Sequence, residues 1–243
     1  MKALVVGATA GLGRALAANL AQAGHEIALV ARDIRDLDAV AADLTLRYSG
    51  KVCCRAEDIA RPDASALRDW TVAALGGIDA VFLVAGLGDD DDTGTLPDQA
   101  VERLLSVNLE GPLRIVNAFF ADLDRPATAH LVAVGSVATV RGRSKNMVYG
   151  AAKRGLQFYF DALRHRLAGS GCRVQFYLAG FMDTTMLGHA KPGLLVADPE
   201  AMARKMVANL DGRAGVYYLP AWWRLIALVL QTMPWRLFVR MKF

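Results

Sequence analysis

Apolar residues fall into seven short runs along the chain: ALVVGA (3–8), EIALVA (26–31), KVCCRAED (51–58), DAVFLVAG (79–86), AHLVAVGS (129–136), CRVQFYLAG (172–180) and GVYYLP (215–220). Their length and β-branched content predict strands. Between them lie segments whose apolar positions recur at helical spacing, over 14–23, 67–75, 98–123 and 149–167. Strands separated by helices of this length need βαβ crossovers, and therefore a parallel sheet covered on both faces. The predicted class is α/β, a doubly wound Rossmann-type three-layer sandwich around a central, mostly parallel seven-stranded sheet. It occupies residues 1–220 and leaves 221–243 as a C-terminal helical tail.

Composition agrees with one well-buried domain, with 54% hydrophobic and 21% charged residues in a chain of 243. Cys53, Cys54 and Cys172 have neither CxxC nor Cys/His ligand spacing, which points to a reducing, cytoplasmic setting. The N-terminus passes from Met1 and Lys2 straight into the first strand, without a signal-like apolar run. The aspartate run GDDDDTG (88–94) is expected to be solvated because adjacent carboxylates repel. Its successive side chains diverge, so no metal site is expected there.

The first strand is followed by GATAGLG, where Gly7, Gly11 and Gly13 open a helix. Glycines at such a turn let the backbone approach a pyrophosphate, which the helix N-terminal amides then hold. Thr9, Ala10 and Leu12 complete this segment, and Arg14, just after Gly13, is expected to add a positive charge near the 2′ end of the adenosine. At the end of the second strand an acid would accept from the 2′-hydroxyl of NAD, but the chain reads Ala31, Arg32, Asp33. A guanidinium suits a 2′-phosphate, so NADP(H) is expected, with Asp33 keeping NAD(H) as the lesser reading. Asp58 and Ile59 are expected beside the adenine, and Ala85 and Gly86 beside the adenosine ribose.

Tyr149 and Lys153, in VYGAAKRG, lie one helical turn apart on the same face. A neighbouring ammonium favours phenolate over phenol, so Lys153 is expected to lower the Tyr149 pKa and make it a proton-transfer group. Ser136, at the end of the fifth strand, can orient a carbonyl oxygen there. Read singly, Ser136 is a helix cap and Asn108 in SVNLEG a satisfied core amide.

Together these residues resemble the short-chain dehydrogenase/reductase family, through the glycine turn, VAG (84–86), Asn108, Ser136, YGAAK and AGFMDTTM (179–186). The resemblance implies that Tyr149 is the general acid/base and that Lys153 binds the nicotinamide ribose. It further implies that Ser136 orients the reacting oxygen, Asn108 holds a relay water, and Gly180 and Thr184 border the nicotinamide. Val6, Val84 and Ala179 depart from the family pattern without removing any of the four catalytic types. The implied activity is NADP(H)-dependent reduction of a ketone or aldehyde. Alcohol oxidation by the same residues, and a non-catalytic NADP(H)-sensing protein, are the alternatives.

Five of the 28 basic residues and none of the 24 acids lie beyond Asp211, so the net charge of +4 belongs to the tail. Charge so placed argues against a nucleic-acid partner. Residues 222–233, if helical, span about 18 Å, too short to cross a bilayer. Tryptophans, an apolar face and unopposed arginines describe a helix lying in the membrane interface. The cytoplasmic protein is then expected to be peripheral on the inner face of a membrane. The alternative is docking on a neighbouring subunit, and the family resemblance implies a homodimer or homotetramer. The segment 184–199, with Met182, Met186, Leu187 and Leu194, is expected to form an apolar lid over a small hydrophobic or lipid-linked carbonyl or alcohol substrate.

Overall fold

The computed structural model describes residues 1–125, 127–182 and 196–241. Seven strands form one sheet: β1 Lys2–Val6, β2 Glu26–Ala31, β3 Val52–Ala56, β4 Ala80–Leu83, β5 Ala129–Ser136, β6 Cys172–Ala179 and β7 Gly215–Leu219. Their order is β3-β2-β1-β4-β5-β6-β7, and every neighbouring pair is parallel. The strand order reverses between β1 and β4, which opens a crevice at the carboxyl ends of these two strands.

Nine α-helices connect or flank the strands in the described residues: α1 Gly11–Gln22, α2 Ile34–Arg47, α3 Ala64–Leu75, α4 Asp98–Leu105, α5 Gly111–Leu123, α6 Met147–Arg166, α7 Pro199–Ala208, α8 Trp223–Thr232 and α9 Trp235–Phe238. Alternate side chains of a strand point to opposite faces, so the sheet carries two cores. Val5 and Phe82 pack with Leu16, Leu20 and Met206 on one face; Leu4 and Val6 pack with Ile115, Phe119, Leu156 and Phe160 on the other. Coverage of both faces explains why the strands read as unbroken apolar runs.

The segment expected as one helix over 98–123 is interrupted. A π-helical turn, Ser106–Glu110, joins α4 to α5, and Asn108 lies within it, fully buried. No described helix is long and apolar enough to cross a membrane.

The tail folds back on its own body, a placement that neither expectation for it had named. Trp223 packs edge-on to Phe181, and a Cβ at Gly180 would overlap its indole. Arg141, five residues beyond Ser136, donates from one guanidinium nitrogen to the carbonyls of Leu230 (2.6 Å) and Met233 (2.5 Å). Its guanidinium also lies over the Phe238 ring, 4.2 Å from the centroid. The cation thus takes up carbonyls that the end of α8 leaves without partners. Pro234 follows, with no backbone N–H to continue the helix.

Candidate active site

The crevice between β1 and β4 is a cleft of about 760 Å³ whose wall includes Gly7, Thr9, Ala10, Gly11, Leu12 and Gly13. Gly7 has φ +93°, and a Cβ on it would lie 2.6 Å from the Ala85 backbone nitrogen. A Cβ on Gly13 would overlap the Gly7 carbonyl oxygen. These two glycines are therefore required by the close approach of the first turn, the first helix and the β4 end. Ala85, Gly86 and Ile59 also line the cleft.

At the end of β2, Asp33 caps α2 by accepting from the Arg35 amide at 2.9 Å, and its carboxylate also pairs with the Arg35 guanidinium at 2.8 Å. The side-chain hydrogen bond from Arg35 is the main cause of the low Asp33 pKa, about 2. Asp33 and Arg32 both line the cleft; Asp33 is occupied by Arg35, whereas Arg32 has no ion pair among the described residues. Two expected contacts differ. Arg14 is exposed and Asp58 accepts from the Ala60 amide at 3.1 Å; neither belongs to the cleft wall, where Glu57 stands instead. Arg14 follows Gly13 on the outward turn of α1, and Asp58 is turned back by its own local bond. Arg103, on the amphipathic α4, lines the cleft but reads in sequence as an ordinary exposed cation. Thr184 lies outside the described residues, as do Met186, Leu187 and Leu194. No group of three or more His, Cys, Asp or Glu is set to hold a metal ion among the described residues.

Ser136, Tyr149 and Lys153 come together at the carboxyl edge of β4 and β5. The Tyr149 phenol, half-buried on the first turn of α6, lies beside the Ser136 hydroxyl, near enough for that hydroxyl to favour its ionised form. Lys153, 3% exposed, donates to the carbonyls of Val134 (3.2 Å) and Ala85 (3.4 Å), the latter part of the cleft wall. Burial lowers the lysine pKa to about 8. The expected depression of Tyr149 by Lys153 is corrected here: burial raises the phenol, and only the neighbouring Ser136 hydroxyl opposes it. The ammonium reaches the Val134 carbonyl of β5 and the Ala85 carbonyl just beyond β4 instead of the phenol, which explains the difference.

Asn108 spends its side chain on backbone. Its carbonyl oxygen accepts from the Leu87 amide (3.1 Å), and its amide nitrogen donates to Leu87 (2.8 Å) and Leu104 (2.9 Å) carbonyls. It fixes the loop leaving β4 along the cleft. The aspartate run also departs from expectation: Asp92 is 1% exposed, its carboxylate accepting from the Val148 (3.0 Å) and Tyr149 (2.9 Å) amides. Helix N-terminal N–H groups compensate the carboxylate, so repulsion along the run does not keep it in water.

A sequence profile of the short chain dehydrogenase family matches residues 1–194. The chain is a short-chain dehydrogenase. The chain is 31% identical over 186 residues to an uncharacterized oxidoreductase of Myxococcus xanthus, covering 76% of this chain and 73% of that protein. It is 26% identical over 240 residues to an uncharacterized oxidoreductase of Mycobacterium tuberculosis, covering 97% and 95% of the two chains. Among solved structures, a short-chain dehydrogenase from Sphingobium yanoikuyae in complex with NADPH superposes with a TM-score of 0.82 at 26% identity, covering 99% of this chain and 96% of that one.

Proposed function

We propose that this short-chain dehydrogenase is an NADP(H)-dependent reductase of a hydrophobic ketone or aldehyde. The observation that carries the reading is the meeting of Ser136, Tyr149 and Lys153 beside a glycine-walled cleft whose far end presents Arg32. The NADPH complex of the Sphingobium relative supports the same cofactor. When bound, the reduced nicotinamide supplies a hydride to the carbonyl carbon. Gly7, Gly11 and Gly13 leave room for the pyrophosphate, and Arg32 takes the 2′-phosphate. Lys153 has three donor hydrogens, of which two face Ala85 and Val134, leaving one for the nicotinamide ribose. Ser136 hydrogen-bonds the substrate oxygen as negative charge grows on it, and Tyr149 donates its phenolic proton to that oxygen. Oxidation of the alcohol uses the same residues in reverse.

NADPH oxidation is measured over a panel of apolar ketones and aldehydes, with NADH as the comparison. Replacement of Arg32 by alanine is expected to raise KM for NADPH by about 10-fold or more while leaving KM for NADH within about twofold, since a charge-assisted phosphate contact is removed. Equal losses with both cofactors would remove Arg32 from the 2′-phosphate site.

An apolar substrate is supported by Met182 in the cleft wall and by the surface around Trp223. Leu225, Leu228, Val229, Trp235, Leu237 and Val239 are 55–68% exposed, with Arg224, Arg236 and Arg240 exposed among them. This face suits an anionic lipid surface, which gains about 1 kcal/mol per nearby arginine besides the apolar burial. Deleting residues 221–243 would strip Trp223 from Gly180, so surface substitutions make the better test. Full-length protein is expected to sediment with phosphatidylglycerol-containing vesicles, and Leu228→Glu/Val229→Glu to cut the bound fraction by about fivefold or more. Equal sedimentation of the two proteins would exclude the tail as the lipid contact.

A further inference from the structure

Tyr149 is the third residue of α6, and the first amides of a helix have no partner within it. The usual supplier is the side chain just before the helix, but Asn146 adopts a left-handed conformation (φ 57°) and makes no side-chain cap. The Gly150 amide bonds to the Asn146 carbonyl at 2.8 Å, so the regular ladder begins only there. The three earlier amides all go to one residue 55 to 57 positions upstream. Asp92 accepts from Val148 and Tyr149 with its two carboxylate oxygens, and from Met147 with its backbone carbonyl at 3.5 Å. Asp92 has no ion pair among the described residues and is 1% exposed. Among the described residues its charge is therefore answered by the helix N-terminus.

Asp92 belongs to the loop that leaves β4. The start of that loop, Val84–Leu87, walls the cleft, and Asn108 clamps it at Leu87. One loop thus touches the cofactor cleft at one end and the backbone of Tyr149 at the other.

We propose that Asp92 is the positioning residue for Tyr149, a cap supplied from the cleft-wall loop that sets the phenol's place relative to the cofactor cleft. The inference rests on Tyr149 as the proton donor. The carboxylate grips the Tyr149 amide itself, so its loss lets the first turn of α6 fray and moves the phenol, while the glycine cradle and Arg32 are untouched. A displacement of about 1 Å costs up to about 100-fold in rate.

The test uses the full-length protein with NADPH and the best ketone of the panel above. Asp92→Ala is expected to lower kcat by about 10- to 100-fold, with KM for NADPH changed less than about threefold. Asp92→Asn keeps one acceptor oxygen and should recover roughly a third or more of that loss on a logarithmic scale. Without cofactor, amide hydrogen exchange in a peptide spanning 147–150 should quicken in Asp92→Ala while peptides from β1 and β5 keep their protection. Full kcat in Asp92→Ala, or kcat, NADPH affinity and protection throughout the chain falling together in both variants, would overturn the proposal. Tyr149→Phe separates the two levels: a turnover that survives it removes the reductase reading, whereas its loss beside an unaffected Asp92→Ala removes only the positioning role.

Discussion

Tyr149→Phe is expected to lower kcat for NADPH-dependent carbonyl reduction by about 10²- to 10⁴-fold, the range of one general acid. The phenol lies beside Ser136, one helical turn from the lysine that reaches the cleft-wall carbonyl of Ala85, and phenylalanine keeps the ring while deleting the transferable proton. KM for NADPH should stay within about threefold, because the dinucleotide is held by the glycine turn and Arg32. Burial holds the phenol above its ordinary value, so at neutral pH it is in the protonated form that reduction requires. Ionisation of the tyrosine should consequently cause no loss of reduction rate between about pH 6 and 8. Cofactor binding with no Tyr149-dependent turnover on any carbonyl would support a nucleotide sensor instead.

Lys153→Met should have the second-largest effect, and of opposite sign on activity and stability. Loss of the ammonium is expected to lower turnover by about 100-fold or more, since a preorganised charge beside the reacting groups disappears. The fold, however, should become more stable near neutral pH. Displacement of the lysine pKa from 10.5 to about 8 by burial corresponds to a cost of roughly 3 kcal/mol. Leaving the Val134 and Ala85 carbonyls without this donor costs about 1–2 kcal/mol, for a net gain of about 1–2 kcal/mol. The folded pKa lies below the unfolded one, so between pH 8 and 10.5 the unfolded chain holds more protons and parent stability rises with pH. The methionine variant should lack that rise. Urea denaturation of both proteins near neutral pH and at high pH measures it, and a variant less stable than the parent at neutral pH would contradict the buried-charge account.

Strand positions were legible because a sheet covered on both faces demands apolar runs of strand length, which local sequence displays directly. The cleft glycines were legible for a related reason: Gly7 needs positive φ, and neither Gly7 nor Gly13 has room for a Cβ. Asp92 was misread because a carboxylate's cost of burial depends on its partners, here two amides more than 50 residues away. Arg14 and Asp58 were credited with the cleft because they stand next to residues that line it. In a tight turn, one residue is enough to change the direction of a side chain. The i, i+4 spacing of Tyr149 and Lys153 correctly put them on one face, but spacing carries no information on where a flexible lysine finds its acceptors.

What the sequence alone determined is the inventory and its order: alternating strands and helices, a glycine turn after β1, an arginine after β2, and a serine, tyrosine and lysine late in the chain. These are local properties, set by periodicity, backbone permissiveness and residue chemistry. The tertiary structure decided which groups are spent on the fold and which remain for chemistry: Asn108 and Asp92 are used on backbone amides, Asp33 on Arg35, and the tail on its own body at Gly180 and Arg141. Such pairings bring together atoms far apart along the chain, and their strength comes from burial and hydrogen-bond geometry that exist only once the chain has folded.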